Sequence, residues 1–174
     1  YEMFLGPLEQ YKPWDVKGIN GVHNFLRKFW RLVHNNENIF SVSEFKPTKQ
    51  NYKTLHKTIK KVEEDIERYS FNTVVSTLMI CINELTDQKC NNREIISEFT
   101  ILLSPYAPHI SEEIWQKLGN QKSITTTCFP KWNSIYLVED KINYPVSFNG
   151  KTRFTISLPI EMTKEEIKIK VMQH

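Results

Sequence analysis

Three basic residues near the start of the chain have the spacing needed to contact phosphate groups together. Arg27, Lys28 and Arg31 lie in the segment GVHNFLRKFWRLV, whose apolar residues recur every three or four positions and so predict an amphipathic helix. Side chains three or four positions apart share one face of a helix. Such a face could attract a polyanion, and the aromatic residues beside the cations could stack on bases. A solvated charged face is the alternative interpretation of the same pattern.

A second group of basic residues, Lys57, Lys60 and Lys61, lies on the next predicted helix, over residues 52–69. Acidic residues follow in the C-terminal half of that helix. This order of charges opposes the helix dipole, at a cost of roughly a few tenths of a kcal/mol per charge. We therefore predict that these three lysines and the three basic residues of the first helix form one phosphate-contacting face.

The residue types that usually perform catalysis or bind metals lack the required spacing. The five histidines are scattered, and Cys81, Cys90 and Cys128 form no CxxC or Cys/His pattern. No glycine-rich loop precedes a helix in the manner of a phosphate-binding loop. We expect no catalytic residue, no metal ligand and no bound cofactor within these 174 residues.

Composition narrows the class of protein but does not identify the partner. The net charge is only +3, so a polyanion would have to bind a local basic surface rather than the whole chain. The odd cysteine count fits a reducing compartment, and the longest apolar runs are too short to span a bilayer. We expect a cytoplasmic location and no membrane partner. The first residue is Tyr1 rather than Met, which suggests a piece of a longer protein.

The elements that must position the basic residues are mainly helical. Apolar periodicity predicts about five helices, the first over residues 19–34 and the last ending at Gly119. Pro105 should end the fourth helix and Pro108 should lie in the first turn of the fifth. Short connections between the helices indicate an up-and-down helical bundle over residues 1–119. Residues 120–142 have no periodicity and are predicted to be a linker or an ordered loop.

The last segment, residues 143–174, changes character. YPVSFNGKTRFTISLP predicts a β-hairpin, and a three-residue turn would place Tyr144 opposite Phe154, with Val146 and Ile156 on the same face. Lys151 and Arg153 would then lie on the opposite, solvent-facing side. A capping box at Thr163 predicts a following helix. The expected fold class is thus mainly α: a bundle followed by a small, truncated β-hairpin–helix (α+β) module.

Several segments resemble, in the same order, the C-terminal part of bacterial-type leucyl-tRNA synthetases. GPLEQYKPWD and GVHNFLRKFWRLV are similar to the start of the family's helical tRNA-binding domain, and LHKTIKKVEEDIERYSFNTVVSTLMICINEL and LLSPYAPHISEEIWQKLG to its later helices. The NGK hairpin resembles the start of the family's small C-terminal domain. Valyl, isoleucyl and methionyl synthetases share the bundle and are alternatives, as is a helical scaffold that binds protein.

The resemblance implies a fragment that binds and orients tRNA(Leu) for catalytic and editing domains elsewhere in the same chain. It also implies ATP, leucine and Mg²⁺ as requirements of the full-length ligase, a monomeric state and no DNA partner. The HIGH and KMSKS signatures of class I synthetases are absent from these residues, so the fragment alone should be inactive. The tRNA-contacting residues that we predict are Arg27, Lys28, Arg31, Lys57, Lys60, Lys61, Lys151 and Arg153.

Overall fold

The computed structural model describes residues 1–138, 141–148, 150–159 and 162–172. The chain divides into two compact units, Tyr1–Tyr136 and Leu137–His174. The boundary between them lies inside the stretch 120–142 that the sequence predicts to be a linker. The finer division into 1–119, 120–142 and 143–174 stays a prediction.

The mainly α fold predicted from the sequence is confirmed. The first unit contains five α-helices: α1 (Ile19–Leu32), α2 (Lys49–Glu67), α3 (Phe71–Asp87), α4 (Arg93–Leu103) and α5 (Pro108–Lys117). Short 3₁₀ turns lie at Glu2–Phe4, Val16–Gly18, Ile124–Thr126 and Ser134–Leu137. The second unit contains an antiparallel pair, β1 (Lys141–Phe148) and β2 (Lys151–Pro159), followed by α6 (Lys164–Met172).

Helix α2 begins three residues before the position that periodicity predicts. Thr48 is its N-cap: the Thr48 side chain accepts from the backbone N–H of Asn51, and the Asn51 side chain accepts from the backbone N–H of Thr48. This reciprocal capping box satisfies two donors that a helix N-terminus otherwise leaves open. Pro47 immediately precedes the N-cap. It therefore lies at the start of α2 rather than in the middle of a loop.

The core of the first unit lies between all five helices. Helix α3 is central, because it packs against α1 on one side and α2 on the other, while α4 packs against α2 and α5. Phe29 of α1 and Phe99 of α4 are fully buried, with ring centroids 4.9 Å apart in an edge-on arrangement. Such a contact contributes about 0.5–1.5 kcal/mol beyond the burial of area. Phe29 is therefore a core residue, and its burial orients the cations of α1 outward.

Residues 120–136 pack on the helices although they lack periodicity. Ile124 is 3% exposed, and Trp132 packs against the core with its indole N–H donating to Glu63 at 2.8 Å. Tyr136 stacks on His56, with ring centroids 4.5 Å apart. Three anchors therefore hold this stretch of chain to the first unit.

The predicted hairpin forms, but the predicted register is wrong. Tyr144 pairs with Ile156 and Val146 with Phe154, whereas Phe148 pairs with Lys151. A register shift between Val146 and Ser147 leaves one extra residue, Arg153, in β2. Because of this extra residue, Phe148 pairs with Lys151 at the turn while Val146 still pairs with the apolar Phe154. Gly150 has the predicted left-handed backbone, with φ +75°.

A second prediction for the hairpin is that Lys151 and Arg153 lie on its solvent-facing side. Lys151 lies directly opposite Phe148, Arg153 occupies the register shift, and both cations are exposed to solvent. Asn149 of the predicted turn lies outside the described residues. After the hairpin, Thr163 and Glu166 form the expected capping box, and α6 begins at the next position, Lys164.

Candidate nucleic-acid interface

Helix α1 presents three cations because its other side is buried. Phe25 is 8% exposed and Phe29 fully buried. Arg27, Lys28 and Arg31 occupy the opposite side and are exposed. Because the apolar and basic residues alternate at helical spacing, packing of the core fixes the direction of the basic row.

The basic row of α1 borders a groove between α1 and α3. The groove has a volume of about 590 Å³ and is lined by Asn24, Arg27, Lys28, Arg31, Leu32, Thr86, Lys89 and Asn91. Lys28 spans it, donating from its ammonium to the side-chain oxygen of Asn83 at 2.6 Å. No acidic residue is among the described residues of this lining. The groove therefore offers cations and amides to a ligand without a carboxylate that would repel an anion.

The lysines of α2 border a different groove, on the other side of α3. This groove has a volume of about 410 Å³ and is lined by Thr54, Lys57, Thr58, Lys60, Lys61, Glu64, Thr77, Ile80 and Glu84. Glu84 accepts a hydrogen bond from the Thr54 hydroxyl at 2.8 Å. The two basic rows thus flank α3, but Glu64 and Glu84 make the α2 side electrostatically mixed.

Two of the three α2 lysines that the sequence predicts to contact phosphate are engaged within the protein. The ammonium of Lys60 lies 4.9 Å from the centroid of the Trp132 ring, and that of Lys61 lies 2.6 Å from Asp65 Oδ1. Asp65 is only 3% exposed, so its carboxylate depends on this partner. Lys57 has no hydrogen bond or ion pair with any other described residue.

Trp30 is a packing residue rather than an open stacking platform. Its ring stacks on His34 with centroids 3.9 Å apart, and its indole N–H donates to Asn38 at 2.8 Å. The face of the ring next to His34 is therefore already occupied. The aromatic residues Phe29 and Trp30, which are interleaved with the α1 cations, therefore pack within the first unit.

Lys89 also faces the α1–α3 groove, and sequence patterning missed it. It follows α3 directly and lies 58 positions after Arg31, so no local pattern connects the two. The sequence contains one local indication that this position is unusual: α3 is followed by QKC, so a lysine stands where a glycine usually follows a helix. Lys89 takes that position with a left-handed φ of +51°.

Lys151 and Arg153 lie in the second unit, on strand β2. Both side chains are exposed, and Arg153 occupies the position of the register shift. Their assignment as tRNA-contacting residues stays a prediction.

A cluster of residues with shifted pKa values lies away from both grooves, between α2 and α4. Burial and a hydrogen bond to Glu94 raise the pKa of Tyr52 to about 12. Burial lowers the pKa of His56, whose Nδ1 has no hydrogen-bond partner, and burial next to Glu94 raises the pKa of Glu98. The rings of Tyr52 and Tyr136 close over this cluster, with centroids 4.6 Å apart. It is a packed polar contact between helices rather than an open catalytic cleft.

Among the described residues, no three His, Cys, Asp or Glu side chains are grouped so that they could hold a metal ion. None of the helices described here is long and apolar enough to cross a membrane.

A helical unit with a basic groove, whose described lining holds no acidic residue, is typical of nucleic-acid-binding proteins. Comparison with known families makes this class specific. Residues 49–169 match the family described as the anticodon-binding domain of tRNA ligase. This match covers more than half of the chain, so the chain belongs to that family.

The relatives that share this region are leucine–tRNA ligases. The protein of Christiangramia forsetii is 61% identical over 172 residues, which is 99% of this chain and 18% of that protein. The protein of Cytophaga hutchinsonii is 54% identical over 172 residues, again 99% of this chain and 19% of its own length. The chain thus spans less than a fifth of the length of these two curated relatives.

A solved structure shares the fold. The ternary complex of Agrobacterium radiobacter K84 LeuRS with tRNA and LeuAMS matches with a TM-score of 0.71 and 26% sequence identity. The match covers 99% of this chain and 24% of that one.

Proposed function

We propose that this chain is the tRNA-binding and tRNA-positioning part of a leucine–tRNA ligase, and that its partner is tRNA(Leu). The observation that carries the proposal is the α1–α3 groove, where Arg27, Lys28 and Arg31 face solvent with no acidic residue in the described lining. Phosphate contacts supply most of the sequence-independent affinity for nucleic acid, and arginine binds phosphate with its planar fork of donors.

Leucine as the amino acid is supported by the relatives, since the most similar of those named above are leucine–tRNA ligases over nearly the whole of this chain. The relatives are much longer than this chain, so leucine activation, editing and the use of ATP and Mg²⁺ belong to regions outside these residues. We further propose that the whole protein is cytoplasmic and monomeric. The role of the present residues is to hold the tRNA body so that its acceptor end reaches those sites.

Within the predicted face, the two sides of α3 contribute unequally. Arg27 and Arg31 have no hydrogen bond or ion pair with other described residues, so both are available to phosphate. Lys60 and Lys61 are held by Trp132 and Asp65. Lys57 is available but shares its groove with Glu64 and Glu84. We therefore assign the main backbone contacts to the α1 side and a weaker contribution to Lys57.

The test is Arg31→Ala in the full-length ligase, with Arg68→Ala as a matched control. Arg68 is an exposed arginine at the end of α2 that borders neither of the two grooves. We expect Arg31→Ala to raise the Kd for tRNA(Leu) and the KM for tRNA in aminoacylation, with the leucine-dependent ATP–pyrophosphate exchange rate unchanged. Equal tRNA affinity in Arg31→Ala and wild type would overturn the assignment of the groove.

A further inference from the structure

We propose that Lys89 is a fourth phosphate-contacting cation of the groove between α1 and α3, so that the RNA backbone passes the C-terminal end of α3. This inference rests on the proposed function, since it concerns the same groove and the same partner. It adds a residue just beyond the end of α3 to a phosphate-contacting face that sequence patterning builds from α1 and α2.

The position of Lys89 supports the proposal first. Lys89 lines the α1–α3 groove together with Arg27, Lys28 and Arg31, so one groove of about 590 Å³ gathers four cations. Its side chain is exposed and has no hydrogen bond or ion pair with the other described residues. An unpaired cation beside three others is a repulsive arrangement in the free protein, and a bound polyanion would relieve that repulsion.

The backbone conformation of Lys89 is that of a residue just beyond the end of a helix, and Tyr69 ends α2 in the same way with φ +56°. Helix α3 ends in a Schellman motif, in which Cys90 N–H donates to the Leu85 carbonyl at 2.8 Å and Lys89 N–H to the Thr86 carbonyl at 3.0 Å. In this motif Lys89 must have a left-handed backbone conformation. Glycine adopts that conformation without strain, whereas other residues adopt it at a cost of roughly 1–2 kcal/mol. Lys89 accepts this cost with φ +51°.

A purely structural reason for a lysine at this position also exists. A cation near the C-terminus of a helix interacts favourably with the helix dipole, by roughly 0.3–1 kcal/mol at an exposed site. That gain offsets part of the conformational cost but predicts no effect on RNA. The two explanations therefore differ in one measurable quantity, the affinity for tRNA.

The neighbouring groove provides the contrast. Lys57 is likewise exposed and without a partner among the described residues, and it also borders α3. Its groove, however, contains Glu64 and Glu84, whose carboxylates lower the attraction for phosphate. Lys57 is thus the matched control for Lys89: the same side chain and exposure beside the same helix, in a groove of mixed charge.

The experiment compares Lys89→Asn with Lys57→Gln in the full-length ligase, by measuring the Kd for tRNA(Leu) from 0.05 to about 0.5 M salt. Asn tolerates the left-handed conformation, so the fold is preserved while the charge is lost. The slope of log K against log salt concentration should fall by roughly 0.7–0.9 for one lost phosphate contact. This corresponds to a roughly 5- to 8-fold loss of affinity at about 0.1 M salt, which vanishes near about 1 M. Lys57→Gln should lower the slope by clearly less, and Lys89→Arg should retain the wild-type slope.

Two further measurements separate the possible failures. If Arg31→Ala weakens binding but Lys89→Asn binds as wild type, Lys89 has only a structural role and the proposal made here is wrong. If both variants bind as wild type, the proposed function of the groove fails as well. Thermal melting of Lys89→Asn within a few degrees of wild type shows that a binding loss is not a folding loss.

Discussion

The ammonium of Lys60 lies over the ring of Trp132, 4.9 Å from its centroid, while the Trp132 indole N–H donates to Glu63 at 2.8 Å. A lysine that sequence patterning assigns to RNA binding is therefore also part of the contact that holds residues 120–136 on α2. Cation–π contacts contribute about 0.5–1 kcal/mol at exposed sites, and the hydrogen bond to a carboxylate contributes about 1.5–3 kcal/mol.

Trp132→Ala should destabilise the first unit by roughly 2–3 kcal/mol, because it removes the packed ring, the contact with Lys60 and the hydrogen bond to Glu63. Trp132→Phe keeps a ring but loses the N–H donor, and should cost about 1 kcal/mol. Urea titration followed by circular dichroism measures both. An Ala variant as stable as the Phe variant would show that the ring contributes nothing to the anchor.

Lys61→Met should also destabilise the protein, by roughly 1–3 kcal/mol, because it leaves the buried Asp65 carboxylate without its cation. Lys61 is itself about half exposed, so solvent screening keeps the effect below that of a fully buried pair. The double variant Lys61→Met/Asp65→Asn should recover part of the loss, since no buried charge remains. Two additive single effects in this double-mutant cycle would contradict a coupled pair.

The cluster between α2 and α4 predicts a pH dependence of stability. His56 has a folded pKa below its unfolded value of 6.5, so its contribution is fully present above pH 6.5 and is lost as the pH falls towards the folded pKa. The groups next to His56 are the rings of Tyr52 and Tyr136, which stack on it, and the carboxylate of Glu94. Glu98 has a raised pKa, so its contribution is present below pH 4.5 and is lost as the pH rises through its folded pKa.

His56→Gln isolates the histidine from the opposing effect of Glu98. Between about pH 7.5 and about pH 5.5 the wild-type protein should lose more stability than the Gln variant, because the His56 imidazole binds a proton more readily in the unfolded chain than in the folded protein. Thermal melts at the two pH values measure the difference. Identical pH dependence in the two proteins would mean that His56 titrates as it does in the unfolded chain.

The fragment of 174 residues should not catalyse leucine-dependent ATP–pyrophosphate exchange. Its sequence carries neither of the two nucleotide-binding signatures of class I synthetases, and adenylate formation requires such a site. The full-length ligase assayed at the same molar concentration is the positive control. Exchange by the pure fragment above the level of a buffer blank would contradict the account.

Apolar periodicity was sufficient to predict the helices, because each buries one face against a common core. It failed where local chemistry or distant contacts decide the structure. The start of α2 depends on a capping box with Asn51 in the place of the usual Glu or Gln. Trp132 contacts Glu63, 69 positions away, and no local pattern encodes that pairing.

The candidate site likewise contains residues whose placement follows from local spacing and residues whose placement depends on distant contacts. Burial of Phe25 and Phe29 determines which way the α1 cations point, so helical spacing alone predicts that Arg27 and Arg31 face solvent. Their assignment to RNA rests mainly on the family resemblance and stays a prediction. Tertiary packing brings Lys60 into contact with the Trp132 ring and places Lys89 in the lining of the α1–α3 groove. Sequence spacing carries no information about either.

The salt dependence of tRNA(Leu) binding tests the central claim most directly, in the full-length ligase carrying Arg27→Ala/Arg31→Ala. Two lost phosphate contacts should lower the slope of log K against log salt by roughly 1.4–1.8, with ATP–pyrophosphate exchange and melting temperature close to wild type. A wild-type slope in a folded, adenylating double variant would contradict the claim that the α1–α3 groove binds the RNA backbone.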